Sequence, residues 1–265
     1  MNVEQYLRTE WSEDGDVLII TLDRQDNDKN QIGSGMVKAL QAVLYPEYVK
    51  PKARGIILRS VRPKVFSTGA DVDGELKDLS PSEAALFSIA GREVFALLSK
   101  VSCPTVALLS GFTLGGGLEL ALCCDFRLAA KNTRLGLPEI NLGVIPGWGG
   151  TQRLLRLIGR SRALMMILTG EMVNSTTAQE YGLVDQVVDV YDELLPAGLA
   201  LLSKFSAKSR SAIALAKRVV FEGGNMALAD GLALESEIFG LAWGTEDRVE
   251  GITAYMEKRK PRFKE

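Results

Sequence analysis

The sequence predicts an α/β core over residues 1–190 followed by an all-helical region over residues 191–265. Two observations predict this fold class. In the first part, short apolar runs typical of strands alternate with stretches of helical spacing. From about Tyr191 onward strand-like runs stop, and successive helical stretches end at Gly223-Gly224 and Gly244.

Five strands are predicted in the core, each from a short apolar run. The run at 104–110, PTVALLS, is apolar at successive positions and is therefore expected to be buried on both faces. The predicted strands lie at 17–22, 55–59, 104–110, 125–130 and 184–190.

Helical spacing predicts two helices in the first half of the chain and four at the end. The helix at 81–100 has the clearest start, because Ser80 is a good cap, Pro81 suits the first helical position and Glu83 completes a capping box. The other predicted helices lie at 35–48, 192–205, 208–222, 226–243 and 246–259.

The composition narrows the chemistry. The 265 residues contain no histidine, so the chain cannot form a Ser-His-Asp triad, a Cys-His dyad or a histidine-ligated metal site. The three cysteines, at positions 103, 123 and 124, do not fit a disulfide framework or a four-ligand zinc site. General acid–base chemistry is therefore expected from carboxylates, lysines or tyrosines, without a metal.

Charge and hydropathy exclude other classes. A net charge of −2 and 24% charged residues provide no field for nucleic acid or an anionic membrane. No signal-peptide pattern and no apolar run of about 18 residues is present, so we expect neither a membrane span nor export. The chain is expected to be cytoplasmic.

Two carboxylates stand in unusually apolar surroundings. Glu119 is the only charged residue between Val106 and Cys124, and Glu139 is the only one between Leu135 and Gln152. Burying a carboxylate is costly and shifts its pKa unless partners compensate, so both residues are expected in one pocket as an acid–base pair. The alternative for each is a structural carboxylate held by backbone N–H groups.

Two glycine-rich turns follow predicted strands and lie before Glu119 in the sequence. FSTGAD at 66–71 and TLGGG at 113–117 can bring backbone N–H groups close to a ligand, and the second turn opens the helix that contains Glu119. Two such turns could direct two donors at one developing oxyanion, although glycine-rich turns are also common packing features.

These segments together resemble the crotonase superfamily, the enoyl-CoA hydratase/isomerase family. The resemblance rests on VFSTGADVDG at 65–74, GFTLGGGLELALCCDFRLAA at 111–130, GLPEINLGVIPGWGGTQRLLRLIG at 136–159 and EGITAYMEKRKPRF at 250–263. It implies a crotonase-like spiral of β-β-α turns, a C-terminal helical trimerisation region and a homotrimer or dimer of trimers. It also implies acyl-CoA substrates, with coenzyme A as part of the substrate and no separate cofactor.

The resemblance implies a role for individual residues. Glu119 would be the base on water and Glu139 the proton donor, while the N–H groups of Ala70 and Gly116 would form the oxyanion hole. Further substrate-binding positions would be Lys64, Ser67, Gly69, Asp71, Trp148, Tyr255 and Lys258, with Tyr255 and Lys258 reaching the CoA of a neighbouring subunit.

Three departures from the family pattern remain. Asp73-Gly74 stands where many hydratases have Lys-Glu, and residues 26–31 (DNDKNQ) are unusually polar for part of the CoA cleft. Trp148 replaces a small residue in the PGxGG turn, where it could narrow the acyl pocket, stack on a cyclic acyl group or pack in the core.

The favoured function is hydration of a 2-enoyl-CoA thioester. The alternatives are hydration of a cyclic or dienoyl-CoA thioester or double-bond isomerisation on the same fold. A scaffold or RNA-binding role is disfavoured, because nucleic-acid affinity needs clustered cations.

Overall fold

The computed structural model describes residues 3–264. Its strands build a mixed α/β architecture, as the alternating pattern predicted. The strands are β1 (Leu7–Trp11), β2 (Val17–Leu22), β3 (Gly55–Ser60), β4 (Val65–Ser67), β5 (Thr105–Leu109), β6 (Phe112–Leu114), β7 (Phe126–Ala130), β8 (Arg134–Gly136), β9 (Val173–Asn174) and β10 (Gln186–Val188).

The strands form two sheets. The larger sheet has the order β1-β2-β3-β5-β7-β10, in which β1 is antiparallel to β2 and all other neighbours are parallel. The smaller sheet has the order β4-β6-β8-β9, with only β9 antiparallel to its neighbour. All five strands predicted from the sequence lie in the larger sheet.

Helices surround the sheets. The prediction at 81–100 is confirmed to the residue, and Ser80 and Glu83 form the expected capping box. The helices are α1 (Ser34–Val49), α2 (Pro81–Lys100), α3 (Gly116–Ala121), α4 (Gly150–Ile158), α5 (Arg160–Thr169), α6 (Ser175–Tyr181), α7 (Leu194–Ser206), α8 (Arg210–Gly223), α9 (Leu228–Trp243) and α10 (Glu246–Met256).

The larger sheet separates two apolar clusters, which explains why its strands are apolar at successive positions. In β3, Ile56 and Leu58 belong to the cluster that includes α1 and α2, whereas Ile57 belongs to the other. That second cluster is closed by α7 through Leu194 and Leu202. The larger sheet therefore lies between helical layers and holds the turns that follow its strands in fixed positions.

The last three helices bury little of their surface in the single chain. No residue of α8 is buried, and Ile238 is the only buried residue of α9. Lys217 anchors α8 to the core by donating to Asp125 at 2.7 Å and to the carbonyl oxygen of Cys103 at 2.9 Å. The division of the chain at residue 190 stays a prediction, since α7 beyond it packs on the sheet.

Across residues 3–264, none of the helices combines the length and apolar character needed to span a membrane.

Candidate active site

Glu119 lies inside the core on α3, a helix whose residues are all buried. Its side chain is 2% exposed, and Oε1 accepts hydrogen bonds from the backbone N–H groups of Trp148 and Gly150, each at 2.7 Å. Burial raises the pKa of Glu119 to about 7, although these N–H bonds favour the ionised form. The carboxyl is therefore held in one orientation by two hydrogen bonds, and its pKa lies near neutral pH.

Glu139 lies on a 3₁₀ turn, Pro138–Leu142, and is half-buried. Its Oε2 is inaccessible to solvent and has no hydrogen-bond partner within residues 3–264. Burial also raises the pKa of this carboxyl, and its charge contributes to the raised pKa of Glu119. The structure thus brings the two glutamates close enough for the charge of Glu139 to raise the pKa of Glu119.

Two backbone N–H groups lie beside this pair. Within residues 3–264, no acceptor is present for the N–H of Ala70 or of Gly116, and Gly116 opens α3. A Cβ built on Gly116 would lie 3.5 Å from the Ala70 nitrogen, so the two donors are neighbours. Unpaired N–H groups at a helix start are a favourable site for a negatively charged oxygen.

Gly115 makes this arrangement possible. Its backbone angles, φ 50° and ψ −127°, are strained for any residue with a side chain, and its N–H donates to the carbonyl oxygen of Gly136 at 2.9 Å. A Cβ at this position would lie 3.0 Å from Oε1 of Glu139. The conformation of Gly115 therefore fixes the position of the Gly116 N–H and leaves room for the Glu139 side chain.

Ser67 and Asp71 hold the neighbouring turn from within the protein. The fully buried Ser67 hydroxyl donates to the Asn30 carbonyl oxygen and accepts from the N–H of Gly69. Asp71 accepts from the N–H of Gly74 and pairs with Arg24 at 2.7 Å. In this chain, these two side chains bond to protein groups that fix the Ala70 N–H.

The polar segment 26–31 has a structural explanation. Asp26 pairs with Arg24, the same residue that pairs with Asp71. Asn30 is fully buried at φ 48°, and its side-chain amide donates to Ser60 and to the Phe66 carbonyl oxygen. The unusual polar residues therefore tie this segment to the turn that precedes Ala70.

The positions expected to contact CoA are exposed. Lys64 lies at the surface before β4, and its carbonyl oxygen accepts from the N–H of Phe112. Tyr255 is 85% exposed at the end of α10, and Lys258 follows it with φ 55°. In the part of the chain that the structure describes, none of the three side chains contacts the glutamates, and their CoA role stays a prediction.

Trp148 is buried, with 3% of its surface exposed. Its ring packs against Phe87 and Phe95, with ring centroids 5.3 and 5.2 Å apart. The sequence pointed to Trp148 but not to the backbone N–H groups of Trp148 and Gly150, which hold Glu119. The glycine run after Glu139 was the available signal for these donors. It does not indicate that their acceptor is Glu119, about thirty positions earlier.

A network behind Glu119 was also missed. Ser99 donates to the carbonyl oxygen of Cys123 at 2.9 Å and accepts from Arg153 at 3.2 Å. The Cys123 thiol donates to the Glu119 carbonyl oxygen, and the Arg153 charge lowers the pKa of the Glu119 carboxyl. These contacts tie the end of α3 to α2 and α4.

The structure also has a groove of about 850 Å³ between α8 and the core, lined partly by Arg92, Asp125 and Lys217. Neither glutamate lines it, although Gly149 and Arg153, beside the groups that hold Glu119, do. Among residues 3–264, no set of three or more cysteine, aspartate or glutamate side chains is grouped to hold a metal ion.

Comparisons with known proteins show which family the chain resembles. The sequence model of the enoyl-CoA hydratase/isomerase family matches residues 12–265. The crotonyl-CoA hydratase of Syntrophomonas wolfei is 40% identical over 213 residues, covering 80% of this chain and 81% of that protein. The short-chain-enoyl-CoA hydratase of Clostridium acetobutylicum is 36% identical over 247 residues, covering 93% and 94%.

A solved structure extends the match to three dimensions. The crystal structure of enoyl-CoA hydratase from Bacillus anthracis superposes with a TM-score of 0.90 at 34% identity, covering 98% of this chain and 99% of that one. The crotonase fold implied by the sequence motifs is thereby confirmed. On the sequence match, the fold and the shared length, this chain belongs to the enoyl-CoA hydratase/isomerase family.

Proposed function

We propose that this protein is an enoyl-CoA hydratase that adds water reversibly to a 2-enoyl-CoA thioester. One observation carries the proposal: two unpaired backbone N–H groups, of Ala70 and Gly116, lie next to two electrostatically coupled glutamates with raised pKa values. The names of the relatives support the same substrate class, since they include crotonyl-CoA and short-chain-enoyl-CoA hydratases.

The unpaired N–H groups would bind the thioester carbonyl oxygen. As water adds to C3, the electrons of the C2=C3 bond move toward the carbonyl, and negative charge develops on its oxygen. Donors fixed in advance stabilise that charge without reorganising, and a single donor of this kind contributes about 3 kcal/mol to the transition state. Arg24, Asp71 and Ser67 support this role because they fix the turn that presents the Ala70 N–H.

The glutamates would supply the acid and the base. Glu119 takes a proton from water while the water oxygen bonds to C3, and Glu139 then gives its proton to C2. The reaction leaves the proton on Glu119, and exchange with solvent restores the starting state. The hydrogen bonds to Oε1 of Glu119 favour its ionised form, whereas Oε2 of Glu139 accepts no bond. The division of roles between the two glutamates follows from the family resemblance, since burial raises the pKa of both carboxyls.

The CoA portion would bind near Lys64. In a homotrimer or dimer of trimers, Tyr255 and Lys258 would contact the CoA bound to a neighbouring subunit. The exposed apolar side chains of the last helices support an assembly, since Leu228 is 79% and Phe239 63% exposed in the single chain. Sedimentation at equilibrium would measure the mass, and a monomer would contradict this part. The chemistry uses no separate cofactor, which likewise stays a prediction.

Loss of conjugated-thioester absorbance from crotonyl-CoA tests the function. We expect rapid loss with the wild-type protein and a rate at least about 100-fold lower for Glu139→Gln, the range of a general acid–base residue. Binding of butyryl-CoA by calorimetry is the control, because the variant should bind this unreactive thioester normally. A folded Glu139→Gln protein with near-normal hydration would overturn the assignment.

A further inference from the structure

The indole of Trp148 spans the space between the candidate oxyanion turn and α2. At one end, its Cζ3 occupies the region into which a Cβ on Gly116 would project, so the two would overlap. At the other end, a Cβ on Gly91 would lie 2.7 Å from the indole Cε2. The ring thus needs a glycine at each end, and it fills the gap between these two helices.

The surroundings keep the ring in this place. Phe87 and Phe95 of α2 pack on it at centroid distances of 5.3 and 5.2 Å, and the indole N–H is 3.4 Å from the carbonyl oxygen of Phe87. The backbone N–H of Trp148 is meanwhile bonded to Glu119. One residue therefore orients the proposed base with its main chain and fills the neighbouring space with its side chain.

This position lies where an acyl chain would continue. In the pose of the proposed function, with the carbonyl oxygen on the N–H groups of Ala70 and Gly116 and the double bond between the glutamates, the carbons beyond C3 would extend past Glu119. A Cβ built on Gly116, which would overlap the indole, would also lie 3.5 Å from the Ala70 nitrogen. In that pose the indole edge would border the reacting carbons, with the rings of Phe87 and Phe95 packed behind it.

We propose that Trp148 closes the acyl end of the site and restricts this enzyme to short acyl groups such as crotonyl; this inference rests on the proposed function. It also disfavours stacking of a cyclic acyl group on the ring, because Phe87 and Phe95 cover the indole and only 3% of the residue is exposed. Replacing the indole with a small side chain opens a channel toward Gly91 and α2.

The test compares 2-enoyl-CoA thioesters of four and ten carbons. Wild-type protein is expected to have a much higher kcat/KM for the four-carbon substrate. Since one methylene in an apolar pocket changes kcat/KM by about 10-fold or more, Trp148→Ala should raise the ten-carbon to four-carbon ratio at least 10-fold. Trp148→Phe, which keeps more of the packing, should give a smaller shift in the same direction.

The matched control is Trp11→Ala, since Trp11 lies on β1, is 44% exposed and takes no part in the site. It should leave the ratio unchanged. Should Trp148→Ala fail to fold, as judged by its thermal transition, the Phe variant provides the comparison. An unchanged ratio in a folded Trp148 variant, or equal wild-type rates on both substrates, would overturn the inference.

Failure of the proposed function has a different signature. Calorimetric binding of butyryl-CoA and decanoyl-CoA needs no chemistry, and wild type should bind the shorter thioester more tightly. If neither enoyl thioester is hydrated but this binding preference is present and reversed by Trp148→Ala, the reaction is wrong and the pocket assignment holds. Hydration of both chain lengths at equal rates would instead support the reaction and contradict the pocket assignment.

Discussion

The two glutamates are held in very different ways. Glu119 lies on a buried helix and accepts two backbone hydrogen bonds, one from Trp148 in the turn before α4 and one from Gly150 at the start of α4. Glu139 lies on a half-buried 3₁₀ turn, and one of its oxygens has no partner within residues 3–264. The same side chain is thus fixed in one region and left free to bond in the other.

This difference indicates how one residue type can serve two roles. The N–H bonds to Glu119 favour its ionised form and so oppose burial, which raises its pKa to about 7, whereas the unbonded oxygen of Glu139 is free to hold and release a proton. Burial raises both pKa values. The pair therefore retains one proton at higher pH than two exposed carboxyls would.

Shortening each carboxyl by one carbon should affect the two regions most unequally. Glu119→Asp withdraws the acceptor from the N–H groups of Trp148 and Gly150, and each buried unpaired N–H costs about 1–3 kcal/mol. We expect the free energy of unfolding to fall by roughly 2–6 kcal/mol in urea titrations. Glu139→Asp breaks no such bonds, so an equal loss there would remove the contrast.

Neutralising Glu119 should stabilise the fold at alkaline pH. Its pKa rises from an ordinary 4.5 to about 7, so the folded protein binds a proton that the unfolded chain releases, and stability is lost between these pH values. At 1.36 kcal/mol per pKa unit, Glu119→Gln should gain roughly 3 kcal/mol at pH 8.

Urea titrations at pH 8 and pH 4 check this expectation. The gain should nearly disappear at pH 4, where the carboxyl is mostly protonated in both states. A stability gain that is the same at both pH values would show that titration of Glu119 is not its cause.

Replacing Gly115 should disturb both regions at once. The φ of 50° and ψ of −127° strain an alanine by about 1–3 kcal/mol, and its Cβ would lie 3.0 Å from Oε1 of Glu139. Gly115→Ala is expected to lower both the thermal transition and kcat on crotonyl-CoA. Gly143→Ala is the control, because its φ is also positive and no atom lies within 4 Å of the added Cβ; strain alone would lower stability in both variants but kcat in neither.

The smallest effect is expected behind Glu119. Ser99→Ala removes hydrogen bonds to the Cys123 carbonyl oxygen and from Arg153, and we expect about 1 kcal/mol of lost stability. Because the bonds to Oε1 of Glu119 remain, kcat should change far less than for a change at either glutamate. A loss of kcat as large as that of Glu139→Gln would contradict this expectation and show that the Ser99 network is required for catalysis.

Periodicity and capping were sufficient to predict five of the six strands of the larger sheet and most helices, but not β1. Five of its strands have apolar runs, and α2 has a complete start signal in Ser80, Pro81 and Glu83. The smaller sheet was not predicted, because strands of two or three residues, such as β4 and β9, are too short to have a period. Helices α4 to α6 were likewise not assigned.

For the site, the sequence indicated which residues were unusual but not how they are held. Glu119 and Glu139 stood out because each is the single charge in a long apolar segment. The bonds to Glu119 come from a turn about thirty residues later, and the packing of Trp148 depends on α2, about sixty residues earlier. Such contacts depend on tertiary structure, which no local pattern encodes.

A double-mutant cycle on crotonyl-CoA tests most directly whether the two glutamates act as one acid–base unit. The rates of Glu119→Gln, Glu139→Gln and the double variant are compared at pH 7, with butyryl-CoA binding to confirm that each protein is folded. Residues that act together have strongly non-additive effects, so the double variant should be little slower than the slower single variant. Losses that multiply would contradict a shared acid–base unit, because each glutamate would then contribute independently.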